Sequence, residues 1–74
     1  MGRLSGFKYR EVIQKLQRLG WAFDRPGAGS HELWRHSATG RKVTVPHHNK
    51  DMAEGTLRAI LREAEIDADD FLRA

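Results

Sequence analysis

Two short interruptions in the middle of the chain do most to limit its fold. Pro26-Gly27-Ala28-Gly29 and Ala38-Thr39-Gly40 are turn-forming runs. They divide the centre into three extended segments: Trp21 to Arg25, Ser30 to Ser37, and Arg41 to Val45. Connections this short cannot carry a crossover, so the three segments must be antiparallel neighbours. In the third, Val43 and Val45 alternate with Lys42 and Thr44, the period of a strand with one buried face. Pro46 then withdraws a ladder donor and ends it.

Both flanks carry the period of a helix instead. Over residues 8–19, Tyr9, Val12, Ile13, Leu16 and Leu19 recur at i, i+3, i+4, i+7 and form one apolar stripe. Ser5-Gly6 offers a start, and Gly20 a stop that accepts the left-handed C′ conformation. After the polar loop His47-His48-Asn49-Lys50, Asp51 with Glu54 resembles a capping box and predicts a helix from Met52. Leu57, Ile60, Leu61 and Ala64 make its stripe, and Gly55 weakens its first turn by up to ~1 kcal/mol. Asp67 reads as the N-cap of a last short helix through Leu72, tucked in by Ile66, Phe71 and Leu72.

Two singly striped helices can be buried together only against one face of the sheet. The expected fold class is therefore α+β: α-β-β-β-α, a three-stranded antiparallel sheet with two helices on one face, plus a short C-terminal helix. At 74 residues the chain reads as one domain, 1–74. A chain this short buries only roughly 60% of its unfolded surface, so it has no room for a separate cofactor-binding unit. Cysteine is absent, which removes disulfides and thiolate metal sites. No apolar run reaches the ~18 to 20 residues of a membrane span, and the N-terminus lacks a secretory signal, so the expected location is cytoplasmic.

The net charge of +3 hides an asymmetry. Residues 1–62 carry a balance of +7 and residues 63–74 one of −4. A basic body suits a polyanion, nucleic acid first, although an arginine-rich solvated surface explains the same count.

All four histidines fall between Ser30 and His48. Strand alternation points His31 and His36, five residues apart, to opposite faces. His47 and His48 are adjacent in an extended loop, so no pair has a ligand spacing and no metal site is expected. Proton transfer is the other chemistry imidazole offers near neutrality. RNA supplies its own nucleophile, the 2′-OH, so one imidazole with Lys or Arg against the developing charge suffices in outline. A single strand histidine is nonetheless more often an ordinary polar residue. Trp21, Phe23 and Phe71 are assigned to the core. If His31 lies on the open face, Trp34 packs under the helices and Leu33 is partly exposed.

Gly29-Ser30-His31 on the second strand, Val43-Thr44-Val45-Pro46-His47 on the third, and Gly55-Thr56-Leu57 with Ile60-Leu61 on the second helix resemble the HicA toxins. Leu19-Gly20-Trp21 and Arg25 extend the likeness over roughly residues 9–66. The resemblance implies a fold like the double-stranded-RNA-binding domain, ribosome-independent cleavage of mRNA, and neutralisation by a HicB antitoxin covering the active site. It implies His31 as the catalytic histidine, with His36 and His47 at positions where the family often has histidine. Cleavage of this kind needs no cofactor, so no small-molecule cofactor and no membrane partner are expected. Many members carry a second histidine directly after the first, where this chain has Glu32. Alternation turns Glu32 away from His31, but a carboxylate near RNA phosphates weakens binding.

The leading expectation is a metal-independent endoribonuclease with His31 as the proton-transfer residue. Arg25, Arg35, Lys42 and Lys50 are candidate phosphate contacts by charge and position, with Ser30 beside them; His36 and His47 rank second. The alternative is a non-catalytic RNA-binding module of the same fold, whose binding ignores His31. A third reading is an interaction protein whose open sheet face pairs only with another protein.

Overall fold

The computed structural model describes residues 3–74. The elements run α1 (Tyr9–Arg18), β1 (Trp21–Pro26), β2 (His31–His36), β3 (Lys42–Pro46), α2 (Glu54–Ala64) and α3 (Ala68–Arg73). The sheet is antiparallel in the order β1-β2-β3. This is the α-β-β-β-α arrangement of the double-stranded-RNA-binding domain, with α3 added.

α1 forms where its stripe dictates: Val12 and Leu16 are fully buried, flanked by half-buried Tyr9, Ile13 and Leu19. Its start differs from the Ser5-Gly6 expectation. Gly6 takes a left-handed turn at φ 82°, and the helix opens only after Lys8, whose N–H donates to Glu11 Oε1 at 2.9 Å. Its stop is Gly20 at φ 95°. A Cβ there would also lie 3.0 Å from His36 Nε2, so glycine is needed for conformation and for space.

The capping box expected at Asp51 does not form. Asp51 instead makes an antiparallel bridge with Lys8, and its carboxylate accepts from Lys8 Nζ at 3.0 Å. Met52 N–H donates to Phe7 O at 2.7 Å. With residues 51 and 52 committed to this pairing, α2 begins at Glu54, behind Ala53 in an extended conformation. The segment entering α1 and the loop entering α2 are thus stitched together. Asp67, by contrast, caps α3 as expected, its carboxylate accepting from Asp69 N at 2.7 Å.

α1 lies over β1 and α2 over β3. Both cover the face that carries Trp21, Trp34, Val43 and Val45, all buried. Phe71 of α3 closes the core edge-on against Phe7, with ring centroids 5.5 Å apart. Burying a large apolar side chain of this kind contributes about 1.5–3 kcal/mol. Phe23 corrects the core assignment. It shares this face and meets Trp34 edge-on at 6.1 Å, yet remains 51% exposed. β1 is an edge strand that runs out from under α1, so every residue after Trp21 is exposed.

The register shifts between Phe23 and Arg25, leaving Asp24 as an extra residue and setting Arg25 opposite Leu33. Among the described residues no helix lies over the opposite face of the sheet. Across the ladder it presents Ala22, Arg35 and Lys42 in one row and Arg25, Leu33 and Thr44 in the next. His31 stands beside Pro46 at the end of that face.

Candidate active site

His31 is the first residue of β2. Its N–H donates to Ala28 O at 3.0 Å and its carbonyl accepts from Gly27 N at 2.8 Å, so the preceding turn fixes its backbone on both sides. Gly29 takes φ 58° in that turn. A Cβ on Gly27 would sit 3.3 Å from His31 O, a close approach that favours glycine. One residue back, Ser30 O accepts from His47 N at 2.9 Å, which ties the β3–α2 loop to the hairpin. Ser30 itself is exposed at the turn.

The imidazole of His31 is exposed and makes no hydrogen bond with any described residue. It lines a cleft of about 680 Å³ at the end of the sheet, together with Tyr9, Pro46, Asn49, Lys50 and Thr56. Lys50 and His48 both belong to this cleft. Arg25, Arg35 and Lys42 lie on the adjoining open face. Arg25 Nε and Lys42 Nζ each stand 3.8 Å from Asp24 Oδ2, while Arg35 makes no ion pair with a described residue.

Glu32 occupies the opposite face. Tyr9 Oη donates to Oε1 at 2.5 Å and Trp34 Nε1 to the same oxygen at 3.1 Å. His47 Nδ1 is 3.3 Å from Oε2. The His47 ring also stacks on Tyr9, with centroids 3.8 Å apart and planes 10° from parallel. Burial by itself would raise the Glu32 carboxyl, but the hydrogen bonds from Tyr9 and Trp34 and the neighbouring His47 outweigh it and hold the group below its ordinary value. The same environment, burial first and the carboxylate second, pushes the Tyr9 phenol well above the usual tyrosine value. The concern that Glu32 sets a bare negative charge beside RNA therefore changes form. The carboxylate is turned beneath the sheet, 19% exposed, and engaged by three side chains.

Of the second-rank histidines, His47 belongs to this cluster, bound to Glu32 and Tyr9. His36 sits at the far end of β2, half-buried, with Nε2 3.1 Å from Leu19 O and Nδ1 3.2 Å from Thr39 Oγ1. The fold thus gathers His31, His48 and Lys50 at one cleft and sends His36 elsewhere. The Tyr9–Glu32–His47–Trp34 cluster escaped sequence reasoning. Its one local signal was Glu32 and Trp34 two residues apart on the same strand face; Tyr9 looked like ordinary stripe. Among the described residues no three His, Cys, Asp or Glu converge as metal ligands. No helix of the described residues is long and apolar enough to cross a membrane.

Compared with known proteins, residues 9–66 match the family model described as the HicA toxin of bacterial toxin–antitoxin systems. No curated protein sequence matches the chain.

Proposed function

The chain belongs to the HicA toxin family, which makes it the toxin of a toxin–antitoxin module and implies a HicB-like antitoxin as partner; on that premise we propose that it is a cytoplasmic, metal-independent endoribonuclease that cleaves mRNA with His31 as the proton-transfer residue. The observation that carries the reading is an exposed imidazole, without a partner among the described residues and fixed by its backbone beside a cleft, next to a cationic sheet face.

In this mechanism neutral His31 accepts the proton of a ribose 2′-OH. The oxygen attacks the adjacent phosphorus, the P–O5′ bond breaks, and the products are a 2′,3′-cyclic phosphate and a 5′-hydroxyl, whose proton comes from water or imidazolium. Arg25, Arg35, Lys42 and Lys50 hold the phosphates and offset the charge that develops on the equatorial oxygens. Ser30 contacts the backbone beside His31. A positioned base contributes ~10²–10⁴-fold, within reach of a fold this small.

Incubating RNA with wild type and His31→Ala in EDTA tests this reading. Cleavage should persist in the wild type, fall in the variant, and vanish on a 2′-deoxy substrate. Equal cleavage by both proteins, or dependence on added metal, would sink it. The non-catalytic RNA-binding reading is favoured by one observation: no described side chain orients the His31 ring, whereas catalytic bases are usually held by a third group. It predicts salt-dependent binding that His31→Ala leaves intact, without strand scission.

A further inference from the structure

The cleft beside His31 has a composition that phosphate binding does not account for. Pro46, Met52 and Ala53 give it apolar surface, and Tyr9 contributes the part of its ring that His47 leaves uncovered. Asn49 and Thr56 bring an amide and a hydroxyl, and neither side chain has a hydrogen-bond partner among the described residues. Lys50 brings a cation and His48 an imidazole; among the described lining residues the one carboxylate, Asp51, is already taken by Lys8. Apolar walls with a few polar groups that no described residue engages mark a small-ligand pocket, and about 680 Å³ lies inside the usual range of such pockets. A backbone-tracking site needs only charge and has no use for an amide beside apolar surface.

We infer that this cleft is a subsite for one unpaired ribonucleotide flanking the scissile phosphate, its base lying against the Pro46–Met52 wall and read by Asn49. The inference deepens the ribonuclease reading of the same site and rests on it. The chemistry follows from the inventory. Asn49 presents both a donor and an acceptor, which suits an exposed base edge, and Thr56 can supply one further bond. Lys50 at the rim meets the phosphate that joins this nucleotide to the one being cut. A duplex cannot use such a pocket, because its base edges are paired and its bases stacked; an unstacked single strand can. The frame is also tied at several points. Tyr9 is held by Glu32 on one side and His47 on another, and the loop carrying Asn49 is pinned at Ser30 O before it and at Phe7 O after it.

The test maps cleavage sites on a random-sequence single-stranded RNA for wild type, Asn49→Ala, Asn49→Asp and Thr56→Val. The wild type should favour one base at a fixed offset from the cut. Asn49→Ala should flatten that preference, with a loss at the best sites of about 5- to 150-fold, the worth of one good base-edge pair. Asn49→Asp, an acceptor only, should change which base is preferred. A duplex of the same sequence should resist. A preference untouched by Asn49→Ala, or a duplex cut as fast as a single strand, overturns the inference. In parallel, the four ribonucleoside 3′-monophosphates are titrated into the wild type and followed by amide NMR. Saturable shifts at Asn49, Thr56 and Tyr9 are expected, whereas shifts confined to Arg25, Arg35 and Lys42 overturn it. Saturable cleft binding without any RNA cleavage leaves the subsite standing and sinks the nuclease reading instead.

Discussion

β2 carries a histidine at each end, and the fold treats the two in opposite ways. His31 has its backbone fixed by the Gly27–Gly29 turn and its ring left bare at a cleft. His36 has its ring bonded at both nitrogens and packed near Trp21, centroids 5.2 Å apart. Five residues of strand reverse the facing, and that alone leaves one imidazole open at the cleft and makes the other a brace between α1 and the β2–β3 turn. Residue type did not separate them; partner saturation does.

The largest effect that would sharpen this contrast is on catalysis. His31→Ala should lower RNA cleavage by ~10²–10⁴-fold while moving stability by less than about 0.5 kcal/mol, since an exposed ring without partners is removed. A comparable loss in both quantities would mean His31 is structural after all. Next comes Glu32, the inward neighbour. Its carboxyl lies below its ordinary value of 4.5, so folding favours the ionised form. That contribution is whole above the unfolded value and is lost as pH falls from there through the lower folded value. Glu32→Gln should therefore lower stability at pH 7 by about 1–3 kcal/mol and flatten the decline below pH 4.5, read from urea melts across the acid range.

Gly20→Ala places a side chain at positive φ and against His36 Nε2, and should destabilise by about 1–3 kcal/mol. Combining it with His36→Ala should be less than additive, because the clash disappears and only the strain remains. Strict additivity in denaturant melts would show that the two residues do not meet. The smallest effect is that of His36→Ala alone. It should reduce stability by about 1 kcal/mol, with cleavage nearly unchanged, the reverse of the His31 pattern.

Local periodicity carried much of this molecule. The α1 and α2 stripes, the turns at Gly27–Gly29 and Gly40, and the opposed facing of His31 and Trp34 all follow from spacings of 3.6 and 2, which need no knowledge of distant residues. What escaped depends on parts of the chain far apart in sequence. Asp51 has the right spacing to Glu54 for a cap, but Lys8, forty-three residues earlier, claims it as a bridge partner. Tyr9 has the right spacing for the stripe, and its hydroxyl still finds Glu32 on the sheet face that α1 covers. Phe23 has the right alternation for the core, yet whether a helix extends over an edge strand is not encoded in the strand. The cleft was invisible for the same reason. Its walls come from α1, β2, β3, the loop before α2 and α2 itself, and only His31 and Lys50 among them were read as candidate site residues.

The extra residue at Asp24 has a bearing on how other proteins can approach. An edge strand with regular pairing offers its unpaired amides and carbonyls as a template for a foreign strand. β1 is one of the two edges here, and within six residues it holds a bulge, a charged Arg25 and Pro26, which has no amide to give. Extension of the sheet beyond β1 is thereby blocked, which guards the exposed hairpin against self-association. A protein that silences this toxin from the β1 side has to grip side chains, such as half-exposed Phe23 or the cations of the open face, because the backbone along that border has been taken out of circulation.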